Sequence, residues 1–143
     1  MTTARTTGRS RWTRVTIAAA ALFVGAVIPV PFGRHPEFEW FGPDKLLHLL
    51  GHGGFAAAAV EALESDRLGP REAGLLAVCL STGYALLLGR LQERVPGREP
   101  EPADHLAALF GSVLGVAGSL RRSGAASGSA ERATREGVRY GRE

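Results

Sequence analysis

The chain has 143 residues, of which 45% are hydrophobic and 22% are charged, and its formal net charge is +3. This apolar content excludes a wholly disordered chain, and the presence of a single cysteine excludes a disulfide scaffold. The pI near 9.7 could suggest a nucleic-acid-binding protein, but the charges cluster between long uncharged stretches. Since no nucleic-acid-binding motif is readable either, we expect no nucleic-acid partner.

Four stretches contain no Asp, Glu, Lys or Arg, and they cover residues 15–33, 46–60, 73–89 and 105–120. A membrane span needs about 20 mostly apolar residues, and the flanking residues can extend the two shorter stretches to that length. All four are rich in Ala, Leu, Val and Gly and have almost no polar face, unlike the helices of a soluble bundle. The sequence therefore predicts an all-α, integral membrane four-helix bundle with helices at about 14–32, 44–62, 72–90 and 103–120. A soluble bundle is the alternative, because two of the stretches are short.

The first stretch also has features of a signal peptide. Three arginines at positions 9, 11 and 14 precede an apolar run, as in the n-region and h-region of such a peptide. However, the residues at 28–32 offer no small-x-small cleavage site, and three further apolar stretches follow. We therefore expect an uncleaved first helix.

The distribution of positive charge predicts the orientation in the membrane. The segments 1–14, 61–72 and 121–143 hold twelve arginines, whereas the opposite side holds five cations. The positive-inside rule then places both termini in the cytoplasm and predicts a multi-pass protein of the cell membrane. Residues 1–14 would be a basic cytoplasmic N-terminus and 15–120 the membrane domain. The Gly-, Ser-, Ala-, Arg- and Glu-rich segment 121–143 would be a disordered C-terminal tail.

The first of two polar clusters opens the second predicted helix. Asp44, Lys45 and His48 can meet on one helical face, since they are three and four residues apart. His52 follows one turn deeper. Ionisable groups within a span are costly and usually face the bundle interior or a cavity. The spacing of Asp44, His48 and His52 also resembles metal ligation, but no firm third or fourth ligand is visible and we predict no metal site.

The second cluster lies between the third and fourth predicted helices. Gln92 ends the third helix, Pro96-Gly97 predicts a turn that leads to Arg98, and Asp104 with His105 opens the fourth helix. A carboxylate is favourable at a helix N-terminus, so Asp104 has an ordinary structural explanation as well as a functional one. The same holds for Asp44.

The apolar helices themselves show no catalytic motif. Cys79 lies among Leu and Val residues, which predicts a small buried side chain. Five glycines have the character of close-packing positions, among them a small-xxx-small pair; they are Gly51, Gly54, Gly111, Gly115 and Gly118.

At the two polar clusters the chain resembles the VanZ-like family of small membrane proteins. The resemblance rests on Asp44-Lys45-x-x-His48, on Gln92 and Pro96-Gly97-Arg98, and on Asp104 followed by Gly111 and Gly115. It covers about residues 15–120 and implies a four-helix membrane domain. Three positions depart from the family pattern, which usually has Glu at position 89, Asn at position 108 and an aromatic residue at position 52. The founding member is associated with low-level teicoplanin resistance, a property that similarity of fold does not transfer.

Two functions from different classes fit these residues, and neither needs a cofactor. The first is non-enzymatic binding of a polar or anionic component of the cell envelope, such as a lipid or glycan headgroup, at an extracytoplasmic rim. Lys45 and Arg98 would hold negative charge, and the other predicted binding residues would orient them or add hydrogen bonds; these are Asp44, His48, Gln92 and Asp104. The second is a membrane enzyme that uses His48 with Asp44 as acid and base. A structural subunit of a membrane assembly is a further alternative.

Overall fold

The fold is a bundle of helices arranged around a central one. A computed structural model describes residues 3–28, 43–65, 68–96, 98 and 101–140. They form four helices: α1 (Thr3–Val27), α2 (Pro43–Ser65), α3 (Pro70–Gln92) and α4 (Pro102–Tyr140). Helix α2 packs against all three others, and α1 also contacts α3. The predicted all-α bundle is confirmed.

Proline marks the first residue of three of these helices. Pro43, Pro70 and Pro102 each begin a helix, where the missing N–H costs nothing and the fixed φ suits the first turn. At the start of α3 the Glu72 carboxylate accepts a hydrogen bond from the Gly69 N–H at 3.2 Å. These local signals explain why α2 and α3 lie within three residues of their predicted bounds.

Three of the helices are long and apolar enough to cross a membrane: Asp44–Glu64, Pro70–Gln92 and Pro102–Ser129. Their outward faces are apolar, and Leu47, Leu75 and Leu87 are 69%, 68% and 64% exposed. Such a surface is unfavourable in water and suits the hydrocarbon of a bilayer. Cys79, predicted to be buried, lies on this outward surface of α3. The chain therefore has the features of an integral membrane protein.

The first predicted span, at about 14–32, extends beyond the described residues. Helix α1 begins at Thr3, earlier than predicted, so the basic segment before residue 15 is helical over its described part. The uncharged part of α1 that the structure describes ends near residue 28, well short of the ~20 residues of a full span. Three of the four predicted spans thus coincide with helices that are long and apolar enough to cross a membrane.

The C-terminal segment differs from its prediction. Residues from 121 onward were expected to be disordered, but α4 continues through them to Tyr140. Alanine, arginine and glutamate are good helix formers, so the segment can extend an existing helix without tertiary packing. The side chains at 121–129 are all exposed, which agrees with the expectation that this segment buries no core. At about 1.5 Å per residue, α4 is roughly 58 Å long, about twice the ~30 Å hydrocarbon thickness.

Glycines allow α2 and α4 to pack backbone against backbone. A Cβ at Gly111 would clash with the backbone carbonyl of Leu49, and one at Gly115 with that of Gly53. The close-packing prediction is confirmed for this pair, and Gly53 joins it from the other helix. It is wrong for Gly54 and Gly118, where a Cβ would meet nothing within 4 Å. Near this crossing lies the apolar core, made by Ala56, Ala59, Val60, Ala77 and Val116.

Candidate functional site

The six predicted binding residues separate into two groups. Asp44, Lys45 and Asp104 lie where the start of α2 meets the start of α4, and Glu101 joins them there. The other three, His48, Gln92 and Arg98, line a cavity bounded by α1, α2 and α3. The single rim cluster predicted from the sequence is therefore an ion-pair cluster beside a separate cavity.

The ion-pair cluster is organised by Lys45. Its Nζ lies 2.8 Å from Glu101 Oε2, 3.4 Å from Asp44 Oδ2 and 3.9 Å from Asp104 Oδ1. The Lys45 side chain is only 10% exposed, so it is enclosed by these carboxylates. Because its charge is already matched, Lys45 is a link between α2 and α4, not a free cation for a ligand.

Asp104 closes the other side of this cluster. Its Oδ2 accepts a hydrogen bond from the Glu101 backbone N–H at 3.4 Å, just before the first turn of α4. Its Oδ1 is buried and receives no hydrogen bond from any described residue, so Lys45 at 3.9 Å is its main stabilising neighbour. The sequence analysis missed Glu101, although an acidic residue directly before Pro102 at a helix start was a visible signal.

Arg98 ties the segment between α3 and α4 to the end of α1. Its Nη2 donates to the carbonyl oxygens of Gly25 at 2.6 Å and Ile28 at 3.1 Å, and its Nε donates to Ile28 O at 3.2 Å. The last carbonyls of a helix have no partner within the helix, so this guanidinium caps α1. The predicted turn before Arg98 is partly described. The backbone N–H of Arg98 donates to Val95 O at 3.1 Å, and Gly97 lies outside the described residues.

The two histidines of α2 stack along the inner face of that helix. The rings of His48 and His52 are nearly parallel, with their centroids 6.2 Å apart. His48 makes no hydrogen bond with Asp44; the Asp44 carboxylate contacts Lys45 instead. The acid-base pair that the enzyme hypothesis requires is therefore not assembled. Within the described residues, no group of three or more His, Cys, Asp and Glu side chains is arranged to hold a metal ion.

A buried serine pair connects His52 to the other helices. His52 Nδ1 lies 3.1 Å from Ser81 Oγ on α3, and Ser81 Oγ also donates to the His52 carbonyl at 3.3 Å. Ser112 on α4 donates to Ser81 Oγ at 2.8 Å or to Ala108 O at 2.7 Å. These three side chains are at most 1% exposed. The sequence analysis missed both serines, whose only signal was a polar residue in an apolar helix.

We predict that Ser81→Ala destabilises the folded protein by about 1–2 kcal/mol, at the upper end of hydrogen-bond contributions between membrane helices. The reason is that Ser81 holds α2, α3 and α4 together through one hydroxyl group. Unfolding in detergent micelles measures the loss. Ser127→Ala is the matched control, since the exposed Ser127 hydroxyl bonds only to Ser123 O within its own helix. Equal stability of the two variants would contradict the structural role of Ser81.

The cavity has a volume of about 390 Å³, within the range of small-molecule binding sites. Its walls are mostly apolar, and its polar lining residues are His48, His52, Gln92 and Arg98. Gln92 is 5% exposed, yet its carboxamide makes no hydrogen bond with any residue that the structure describes. A carboxamide has two N–H donors and one acceptor oxygen, so this side chain can form hydrogen bonds with a molecule in the cavity. The cavity is therefore a candidate binding site.

The glycine at position 89 has a structural explanation. The His105 ring lies directly against Gly89, where a Cβ would come within 2.5 Å of His105 Nε2. His105 Nδ1 lies 3.2 Å from the Glu101 carbonyl, so the ring is held in place. In this chain, histidine from α4 therefore fills the space next to position 89.

Gly89→Ala is therefore expected to destabilise the protein by about 1–3 kcal/mol, the usual cost of forcing extra atoms into a packed site. In the His105→Ala background the same change should cost little, because the ring that obstructs the methyl group is gone. A double-mutant cycle on thermal unfolding measures this coupling. If the two changes are additive, the contact between Gly89 and His105 does not limit the packing.

Comparison with known proteins gives no match: no model of a protein family, no curated protein and no solved structure is similar to the chain. The resemblance to the VanZ-like family therefore stays a prediction based on the quoted residues. What the site does has to be argued from its own chemistry.

Proposed function

We propose that this chain is a VanZ-like, non-enzymatic membrane protein that binds a polar or anionic component of the cell envelope. The observation that carries the proposal is the cavity bounded by α1, α2 and α3, which is lined by Gln92, a 5% exposed residue whose carboxamide makes no hydrogen bond with another described residue. Ionisable and polar groups at membrane depth are costly, and they are retained mainly where they serve a ligand or a pathway.

The charges of the described residues support the cavity over the ion-pair cluster as the binding site. Lys45 is surrounded by three carboxylates, so this cluster repels an anionic ligand. Arg98 is the formally charged residue among those that line the cavity, and its Nη1 donates no hydrogen bond to any described residue. A negative or hydrogen-bonding headgroup is therefore better matched to Arg98, Gln92 and His48.

The proposal places the polar end of the cavity on the outer side of the cell membrane, with both termini cytoplasmic. The excess of arginine in the segments assigned to the cytoplasm supports this orientation. At the end of the bundle assigned to the cytoplasm, Arg14 pairs with Glu61 at 2.9 Å, and Arg11 donates to the Glu61 carbonyl at 3.0 Å.

An enzymatic function has less support. Ser81 contacts His52 as a nucleophile contacts its base, but Ser81 is fully buried and no substrate atom can reach it. His48 donates no hydrogen bond to Asp44, and such a bond would be needed to orient it as an acid or base. Binding without turnover accounts for the same residues, and it requires neither an accessible nucleophile nor an oriented acid or base.

Identification of the molecules that co-purify with the protein tests this proposal. The full chain is extracted from membranes in a mild detergent and examined by native mass spectrometry, beside the variants Gln92→Leu and His48→Ala. We expect a bound envelope component in the unmodified protein and a strongly reduced amount in both variants. His105→Ala is the control, since His105 does not line this cavity. Equal occupancy in all four proteins, or none in any, would contradict the proposal.

A further inference from the structure

The cavity is amphipathic, and most of its polar lining lies at one end. Arg98, Gln92 and His48 are at the end nearest the start of α2 and the close of α1. Towards the middle of the bundle the lining changes to Ala18 and Phe55, with alanine, leucine and glycine between, together with His52, whose Nδ1 is engaged with Ser81. A molecule that fills such a cavity needs one polar end and one hydrocarbon end.

The depth of the cavity along α2 is close to that of one leaflet of a bilayer. Along α2 the lining runs from Leu47 to Phe55, which at 1.5 Å per residue is about 12 Å. Half of a ~30 Å hydrocarbon core is about 15 Å. At the inner end Phe55 contacts the ring of Tyr84, whose hydroxyl donates to Ala19 O at 2.8 Å. The space between α1 and α2 therefore has the depth expected for one acyl chain.

The polar end has the donors that a phosphodiester requires. Arg98 uses Nε and Nη2 on the carbonyls of α1, and its Nη1 donates to no described residue. The Gln92 amide adds a donor in a nearly buried position. Guanidinium groups bind phosphate oxygens through strong charge-assisted hydrogen bonds, and one guanidinium matches the single negative charge of a phosphodiester.

We propose that the cavity binds a phosphodiester lipid, with its phosphate at Arg98 and Gln92 and one acyl chain between α1 and α2. This inference rests on the proposed function and names the ligand class of the same site. Charge complementarity favours a phosphate group at the polar end, and the depth of the lining favours an acyl chain. A soluble phosphate compound would leave most of the apolar lining uncovered.

Two glycines allow the acyl-chain position to be filled without disturbing the bundle. Gly25 on α1 and Gly54 on α2 both line the cavity, and a Cβ at either would meet nothing within 4 Å. Leucine at position 54 should therefore occupy the cavity and leave the helix packing intact. Gly83 is the matched control, because a Cβ there also meets nothing within 4 Å and Gly83 does not line this cavity.

The test measures binding of fluorescent phosphatidylglycerol to the purified full-length protein in detergent micelles. We expect Gly54→Leu and Gly25→Leu to weaken binding at least tenfold, and Gly83→Leu to bind as the unmodified protein does. Gln92→Leu should also weaken binding, and it removes no hydrogen bond between described residues. Thermal unfolding of each variant shows that it is folded. Equal binding by the Gly54→Leu and Gly83→Leu variants would overturn the proposed position of the acyl chain.

Competition experiments test recognition of the phosphate and of the acyl chain separately. They also separate this inference from the proposed function. Unlabelled phosphatidylglycerol should compete, whereas diacylglycerol and glycerol 3-phosphate should compete at least tenfold more weakly. Strong competition by glycerol 3-phosphate would overturn the role of the acyl chain, and strong competition by diacylglycerol would overturn phosphate recognition. If phosphatidylglycerol does not bind but another class of envelope component co-purifies and is lost in Gln92→Leu, the phosphodiester assignment fails and the proposed function stands.

Discussion

Replacing Lys45 with methionine is expected to destabilise the folded protein by about 3–5 kcal/mol, the usual cost of removing one partner of a buried ion pair. Lys45 is the cation between the carboxylates of Glu101 and Asp104, whose side chains are only 26% and 13% exposed. Without it, negative charge is left partly buried where α2 meets α4. Unfolding of the purified protein in detergent micelles measures the effect.

An exposed ion pair supplies the control for this prediction. Arg14 pairs with Glu61 at a similar distance, but these side chains are 58% and 33% exposed. Removal of such a pair usually costs less than about 1 kcal/mol, so Arg14→Met should be nearly neutral. The Glu101→Gln change should recover part of the stability lost in Lys45→Met. A loss no larger for Lys45→Met than for Arg14→Met would show that the cluster does not hold the helices together.

Gly115→Ala is expected to have the second large effect, a loss of about 1–3 kcal/mol or more. The added methyl group would meet the backbone carbonyl of Gly53, and a backbone atom cannot rotate away as a side chain can. Helices α2 and α4 would have to separate, which would weaken the contacts along their crossing. The loss is measured as a fall in the thermal unfolding midpoint.

Gly118→Ala, three residues further along α4, is the matched control. Its added methyl group would meet nothing within 4 Å, and alanine is favoured over glycine in a helix by about 1 kcal/mol. We therefore expect Gly118→Ala to be neutral or slightly stabilising. If the two alanine variants unfold alike, the close approach of α2 and α4 at Gly115 is not required.

The helices could be predicted from the sequence because their signals are local. Uncharged stretches of 15 to 19 residues set the positions of the helices. The small-xxx-small spacing of Gly111 and Gly115 indicated the face of α4 that packs closely against another helix. The continuation of α4 to Tyr140 was missed because composition shows only that a segment buries no core, and an exposed segment can still extend a helix.

The site was only partly predictable, because contacts between helices depend on how each helix is rotated. Spacing within α2 placed Asp44 beside His48, but the carboxylate contacts Lys45, which itself reaches Glu101 directly before α4. Arg98 was expected to face a ligand, but most of its N–H donors cap the end of α1, some 70 positions earlier in the sequence. Ser81 and Ser112 have no motif at all; only the packed bundle shows that they meet.

The most direct test of the central claim, a membrane protein whose ligand cavity opens towards the envelope, is cysteine accessibility in intact cells. Cys79 is replaced by alanine, and single cysteines are placed at Arg94 and Ser127, both exposed positions on opposite sides of the proposed membrane. Glu101 is avoided because it pairs with Lys45. A membrane-impermeant thiol reagent should label position 94 and not position 127. Labelling of position 127 alone would place the cavity on the cytoplasmic side and contradict the account.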